Sequence, residues 1–248
     1  MKRVAKQRNV IRPTDGEAIR LARSLVRSAR FGALAAFDPD DGWPLASRVG
    51  VATAIDGAPL ILVSGLSAHT RALLKDERCS LLLGEPSQGD PLAYPRISLF
   101  CRALRLDRET PDATSARTRY LARHSKARLY VDLGDFCFFR LEPVRANMNG
   151  GFGKAYQFSR ADLLAETPGF DLSQCETKLV DDLNANLGKE ILTERFGGGN
   201  WRVVGVDPEG VDLLSGDRAK RVFFDAPLQK PDELTRVVER FCEAIKRM

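Results

Sequence analysis

The chain has 248 residues, 38 basic and 33 acidic side chains, a formal charge of +5, and 44% hydrophobic and 29% charged residues. This is ordinary globular composition, which excludes a collagen-like, low-complexity or wholly disordered chain. No run reaches the roughly 18 apolar residues that a membrane helix needs, and the charged N-terminus has no apolar run behind it, so no secretory signal is expected.

Thr14 and Glu17 form a T-x-x-E capping box behind Pro13, which predicts a helix start. Ile19, Ala22, Leu25, Val26 and Ala29 follow at helical spacing and form one apolar face. Phe31–Phe37 is a short apolar run that ends in Asp38-Pro-Asp-Asp-Gly42, which is turn chemistry. Residues 45–55 read as a strand, Asp56-Gly57 as a hairpin turn and residues 60–63 as the partner strand. Residues 70–77 read as a short helix with Leu73 and Leu74 facing inward. Strands are expected over 80–83 and 96–106, separated by a Gly/Pro-rich loop. Thr110-Pro111 begins a helix that runs to about Arg123, with Pro at its first position. Strands follow over 136–141 and 144–148. Short strands separated by turns predict a small closed antiparallel sheet with helices plugging its ends.

Gly150-Gly151-Phe152-Gly153 reads as a break between domains. Beyond it come a helix over 173–196, a three-stranded meander over 201–224 and a closing helix over 231–247 that begins at Pro231 and Asp232. The expected organisation is a basic tail at 1–12, a barrel domain at 13–152 and a small α+β domain at 153–248. The fold class is α+β.

Charge follows the same divisions. The tail holds Lys2, Arg3, Lys6, Arg8 and Arg12 and no acid, residues 13–152 hold 19 basic and 16 acidic side chains, and residues 153–248 hold 14 and 17. Such a tail reads as a solvated arm. Beyond it no basic stripe with interleaved aromatics appears, so a nucleic-acid partner is not expected. Of the 19 basic residues in the middle segment 17 are Arg, the side chain suited to bidentate contact with phosphate and carboxylate. Cys79, Cys101, Cys137, Cys175 and Cys242 are odd in number and widely spaced. They read as reduced thiols of a cytoplasmic protein. The two histidines, His69 and His124, lie near no cysteine pair, so no metal site is expected.

The most informative run is Leu62-Val-Ser-Gly-Leu-Ser-Ala-His-Thr-Arg-Ala-Leu-Leu74. An apolar strand ends at Val63, and small polar residues lead into a helix. A helix start presents unpaired N–H groups and the positive end of the dipole, which suits a phosphate. Ser64, Ser67, His69, Thr70 and Arg71 add side-chain donors at the same place.

That run, with Asp76-Glu-Arg-Cys-Ser80-Leu, Gly89-Asp90-Pro91, Arg96-Ile-Ser-Leu99, Tyr120-Leu-x-Arg-His124, Asp135-Phe136 and Gly150-Gly-Phe-Gly-Lys-Ala155, resembles the FMN-binding split-barrel proteins related to pyridoxamine 5′-phosphate oxidase. More narrowly it is similar to their haem-utilisation (HugZ-type) branch. The resemblance spans residues 17–155, and the C-terminal module resembles the small α+β domain that follows such barrels. It implies FMN held at a homodimer interface, with His69, Thr70 and Arg71 at the phosphate and Ser64 reaching the flavin or its ribityl chain. It also implies Arg48 and the backbone of Val49 and Gly50 at the pyrimidine edge, and Arg96 on an anionic ligand.

The chain departs from the pattern in three places. The oxidases carry Ser-Arg-Lys at the phosphate turn, where this chain reads Ala68-His69-Thr70, which implies weaker FMN binding or its loss. Haem-degrading relatives use a histidine near the C-terminus as iron ligand, whereas the last histidine here is His124. Related modules carry His-Met-Asn-x-Asp-His where this chain reads Asp182-Leu-Asn-Ala-Asn-Leu187. Cys242, Met248 and Tyr156 remain as iron ligands only in principle. The resemblance therefore implies a cytoplasmic FMN-dependent oxidoreductase acting on a small molecule, with no obligate acid or base in view. The alternative is a non-catalytic haem- or protein-binding regulator on the same dimeric scaffold.

Overall fold

A computed structural model describes residues 11–151, 154–186 and 189–247. Lys2, Arg3, Lys6 and Arg8 of the basic arm, Phe152, Gly153, Leu187 and Met248 lie outside the described residues.

The first helix, α1 (Gly16–Ser28), is capped by Asp15, whose carboxylate accepts from Ala18 N–H. The expected Thr14 cap is corrected: its hydroxyl instead donates to the Gln157 carbonyl at 2.7 Å. A carboxylate one residue further on reaches the helix N–H groups, which frees Thr14 to tie the chain to a distant strand.

The strands β1 (Phe31–Phe37), β2 (Pro44–Gly50), β3 (Ala52–Thr53) and β4 (Pro59–Ser64) come next. The helix α2 (Ala68–Lys75) precedes β5 (Arg78–Leu83) and β6 (Arg96–Arg105). The helix α3 (Pro111–Arg123), the strands β7 (Phe136–Asn149) and β8 (Ala155–Ser159), and the short α4 (Arg160–Leu163) complete this part. The sheet order is β2-β1-β5-β6-β7-β4-β3, with β8 added to β7. The two ends of that path, β2 and β3, are one stretch of chain interrupted only at Val51, so the sheet curls until its ends meet at that bend without pairing. The strand expected over 45–55 is thus two strands joined by a bend. Along β7 the reverse holds: the two strands expected either side of Pro143 are one. The missing Pro143 N–H is tolerated because the β6–β7 register shifts between Phe100 and Cys101, opposite it.

Alternation along the strands separates inside from outside. Leu34, Val49, Ile61, Leu81, Leu99, Phe139 and Leu141 fill the barrel. On α2, Ala72 and Leu73 join that core, while Leu74 is 55% exposed. Its predicted inward position is corrected, because adjacent residues on a helix are about 100° apart and cannot both face a narrow core. A second cluster on the far side of β3, β4 and β7 packs Leu60, Leu62 and Phe138 under Tyr120 and Leu121 of α3.

The C-terminal part comprises α5 (Glu176–Asn186), α6 (Lys189–Phe196), β9 (Arg202–Asp207), β10 (Gly210–Ser215), β11 (Arg218–Phe223) and α7 (Val237–Arg247). The helix expected over 173–196 is described as the stretches Glu176–Asn186 and Lys189–Phe196, and the two residues between them lie outside the described residues. The meander is a three-stranded antiparallel sheet, and its core gathers Leu183, Trp201, Val206, Leu213, Val222 and Phe241. No described helix is long and apolar enough to cross a membrane.

Barrel and C-terminal sheet meet across a buried ionic seam. Arg27 of α1 lies 2.9 Å from Asp207, and Arg123 of α3 donates to Asp212 at 2.7 Å. Arg119 pairs with Glu176, and Arg221 bridges Asp207 at 2.7 Å and Asp212 at 3.0 Å. These four guanidinium groups and three carboxylates are all buried. At the edge of the seam Arg23 pairs with Glu209 and Arg30 with Asp217. The barrel segment's excess of cations and the module's excess of acids thus meet as partners.

Candidate functional site

The barrel is not paired all the way round. β2 and β4 lie side by side, and α2 packs against β2, yet β2 pairs only with β1, and β4 only with β7 and β3. The gap between β2 and β4 is a split. Arg48, Val49 and Gly50 stand on one lip, and Ser64 and the start of α2 stand on the other.

On the α2 lip, the Ser64 hydroxyl donates to Asp135 at 2.6 Å and accepts from Leu66 N–H at 3.1 Å. Thr70 is buried, and its hydroxyl donates to the Ser64 carbonyl at 2.6 Å. Thr70 therefore fastens the turn, and its hydroxyl is engaged by the protein itself. Ser67 stands at the N-cap of α2 but makes no side-chain cap, so the helix start is left open. Arg71 is exposed, 3.7 Å from the Asp40 carboxylate. His69 is half-buried, and that burial holds its imidazole below its ordinary pKa. At neutral pH it is a neutral donor or acceptor rather than a cation.

On the β2 lip, Val49 points into the core and is 5% exposed, while Arg48 points outward. The Arg48 guanidinium lies 5.5 Å from the centre of the Phe31 ring and pairs with no carboxylate among the described residues. Gly50 is glycine for a local reason: a methyl group there would overlap the Tyr120 hydroxyl.

The outer face beyond Arg48 is open. Register sets Arg48, Ala33, Leu82, Ser98 and Asn147 in one row across five strands. Ala46, Ala35, Ser80, Phe100 and Arg145 form the next. Neither row carries an acid, and the Arg145 guanidinium sits 3.6 Å above the Phe100 ring. The β1 positions of this face are alanines, its middle carries the exposed Leu82, and its rims are cationic.

Arg96 does not join the split. Ser64 is level with Phe136 at one end of β7, and Arg96 is level with Asn149 at the other. Arg96 instead donates to the Leu92 carbonyl at 3.0 Å and lines a hollow of about 340 Å³ with Ser98, Asn147, Asn149 and Tyr156. A larger cavity of about 700 Å³ lies between the barrel and the C-terminal part, lined by Ile55, Asp56, Leu60, Pro111, Arg140 and Phe170. Its charged pair is internally satisfied, since Arg140 donates to both Asp56 oxygens at 3.1 and 2.5 Å. None of the predicted site residues lines that cavity.

The candidate iron ligands are scattered. Cys242 packs against the C-terminal core, Tyr156 stands beside Phe158 with ring centres 6.3 Å apart, and Met248 lies outside the described residues. Sequence reading missed the Phe31 ring beside Arg48 and the Tyr120 hydroxyl beside Gly50. Only strand register and helix packing bring them together, although Tyr120 and His124 stand in one of the quoted motifs.

Comparison with known proteins agrees with this architecture. A family model described as "CREG, beta-barrel" matches residues 13–163. A non-canonical chloroplastic heme oxygenase, HOZ, from Arabidopsis thaliana is 34% identical over 149 residues, which cover 58% of this chain and 44% of that protein. The chain thus spans less than half the length of that relative. Among solved structures, a protein of unknown function from Agrobacterium tumefaciens matches with a TM-score of 0.78 and 30% identity, covering 96% of this chain and 99% of that one. A heme binding protein from Mycobacterium smegmatis matches with a TM-score of 0.56 and 26% identity, covering 96% of this chain and 100% of that one. The split-barrel resemblance and its link to the haem-utilisation branch are borne out.

Proposed function

The chain belongs to the CREG β-barrel family, and on that premise we propose that it binds FMN at the split between β2 and β4, as a homodimeric oxidoreductase acting on a small molecule. The carrying observation is the outward-pointing Arg48, without a carboxylate partner among the described residues, across the split from the open start of α2. A phosphate fits the N–H groups of that helix start, and Arg71 and His69 stand beside it. The small, acid-free residues nearest Arg48, Ala33 and Ala35 on β1 and Ala46 on β2, fit a flat ring, and a second copy of the chain would cover the rest of that face. FMN, when bound, supplies the redox chemistry. The protein's own part is positional: Arg48 favours negative charge on the nearest ring edge, Thr70 holds the turn that carries the phosphate donors, and Val49 keeps β2 anchored in the core. Arg96, at the far end of β7, would meet an anionic ligand only in the assembled dimer.

A second reading is a haem-binding protein on the same scaffold. It rests on His69, a half-buried imidazole held below its ordinary pKa by burial alone, and on the haem named for the plant and mycobacterial relatives. In this reading His69 would be the residue to hold the iron, and Arg48 would suit a haem carboxylate.

Absorption spectra of the purified protein with and without added FMN and haemin separate the readings. A flavin spectrum that saturates at one FMN per chain, with a rise in Tm, supports the first. A sharp haem band lost in His69→Ala supports the second. Absence of binding and of any Tm change with both groups overturns both.

A further inference from the structure

Tyr120 is 3% exposed, and burial raises its pKa, so the hydroxyl stays protonated. A buried phenol normally finds a hydrogen-bond partner. Here the hydroxyl has none among the described residues, although the ring is firmly held. It packs edge-on to Phe138, with centres 5.6 Å apart, and lies 4.5 Å from the His124 ring. His124 is itself fixed by a 2.9 Å hydrogen bond between its Nε2 and the Val51 carbonyl.

The direction of the hydroxyl follows from the strand. Residues of β2 alternate, with Val49 inward and Arg48 outward, so Gly50 faces the same side as Arg48. The Tyr120 hydroxyl occupies the place of a Gly50 side chain. It therefore emerges on the Arg48 side, two residues along the strand. Gly50 pairs with Phe31, the ring over which the Arg48 guanidinium lies. A cation, an aromatic face and an unspent hydroxyl donor thus converge at one end of the split, with no acid among them.

We propose that the Tyr120 hydroxyl donates a hydrogen bond to the acceptor oxygen of the planar ligand whose negative edge Arg48 holds. This deepens the binding reading above and rests on it. The oxygen is a ring carbonyl in FMN or a carboxylate in haem, and the ligand titrations distinguish the two. Glycine at position 50 admits the donor, and His124 fixes its ring.

The test uses the full chain titrated separately with FMN and haemin, followed by absorption, with wild type beside Tyr120→Phe. The expected result is about tenfold weaker binding of whichever group the wild type takes up, of the order of one hydrogen bond, with Tm unchanged to within a degree or two. Equal affinity in Tyr120→Phe overturns the inference while leaving the binding reading intact. A wild type that binds neither group overturns both. Gly50→Ala supplies a second, ligand-free measurement: it should lower Tm in wild type and be tolerated in Tyr120→Phe, where the hydroxyl that fills the position is gone. Equal losses in the two backgrounds would place the hydroxyl elsewhere and also overturn the inference.

Discussion

Arg27, Arg119 and Arg123 lie buried between the barrel helices and the C-terminal sheet, whereas Arg48 and Arg145 stand on the outer strands, over phenylalanine rings and away from any described carboxylate. The same residue type serves two ends. In the seam the guanidinium fork satisfies carboxylates that would otherwise be buried and unpaired, and each pair matters because both partners are buried. On the outer face the cations are solvated and contribute little to folding, which leaves them available to a ligand. What separates the two sets is the availability of acids. Asp207, Asp212 and Glu176 all belong to the C-terminal part, and they reach only the arginines that point towards it.

The comparison breaks most readily at Asp212, which meets Arg123 and Arg221. Asp212→Ala should cost about 3–5 kcal/mol in denaturant unfolding, because it leaves buried cations without their partner. Burial works to raise the Asp212 pKa, but Arg221, Arg123, Arg27 and Arg119 prevail and hold it at about 2. A carboxyl depressed in the folded state contributes stability above its unfolded pKa and loses it as pH falls towards the folded value. Roughly 2 kcal/mol should therefore disappear between about pH 4 and pH 2, and Asp212→Asn should flatten that part of the stability profile. Glu176 has the opposite sign, since burial raises its pKa despite Arg119. Its contribution is present below the ordinary carboxyl value and is lost as pH rises through the raised one.

Arg27 should be less costly to replace. Four buried guanidinium groups face three carboxylates, and burial, opposed by Asp207, pulls the Arg27 pKa down to about 10. Asp207 keeps Arg221 when Arg27 is lost, so Arg27→Met should cost only about 1–2 kcal/mol in the same unfolding measurement. Arg48→Gln sharpens the contrast from the other side. Its unfolding free energy should stay within about 0.5 kcal/mol of wild type, while its affinity for added FMN or haemin falls at least about tenfold. An Arg48 variant that unfolds as readily as the Asp212 variant would erase the distinction between the two sets.

Much of the fold was legible because it is written in local repeats. An apolar run marked the strand Phe31–Phe37 and an aromatic run the strand from Phe136, Asp38–Gly42 marked the turn between β1 and β2, and Pro111 marked the start of α3. The misreadings are instructive. Thr14 has the composition of a cap, but Asp15 stands one residue nearer and takes the role. Leu74 has the composition of a core residue, but the barrel end accepts only Leu73. At the expected phosphate turn, the Thr70 hydroxyl donates to the Ser64 carbonyl.

The candidate site divides in the same way. The run from Ser64 to Arg71 was visible because a strand end, small residues and a helix start follow one another along the chain. The Phe31 ring beside Arg48 was not visible, because strand pairing brings it there, nor was the Tyr120 hydroxyl beside Gly50, which the packing of α3 brings there. The seam was hidden for the same reason: Arg23 meets Glu209 across 186 residues of chain. By itself the sequence determined the strand periods, the turn chemistry and the uneven division of charge, because each depends on residues that are neighbours in the chain. Only the tertiary structure decided which arginines are spent in the docking seam and which remain on the outer face. A guanidinium's role is set by the carboxylates, rings and water that folding brings within a few ångströms of it, and neither composition nor spacing records that distance.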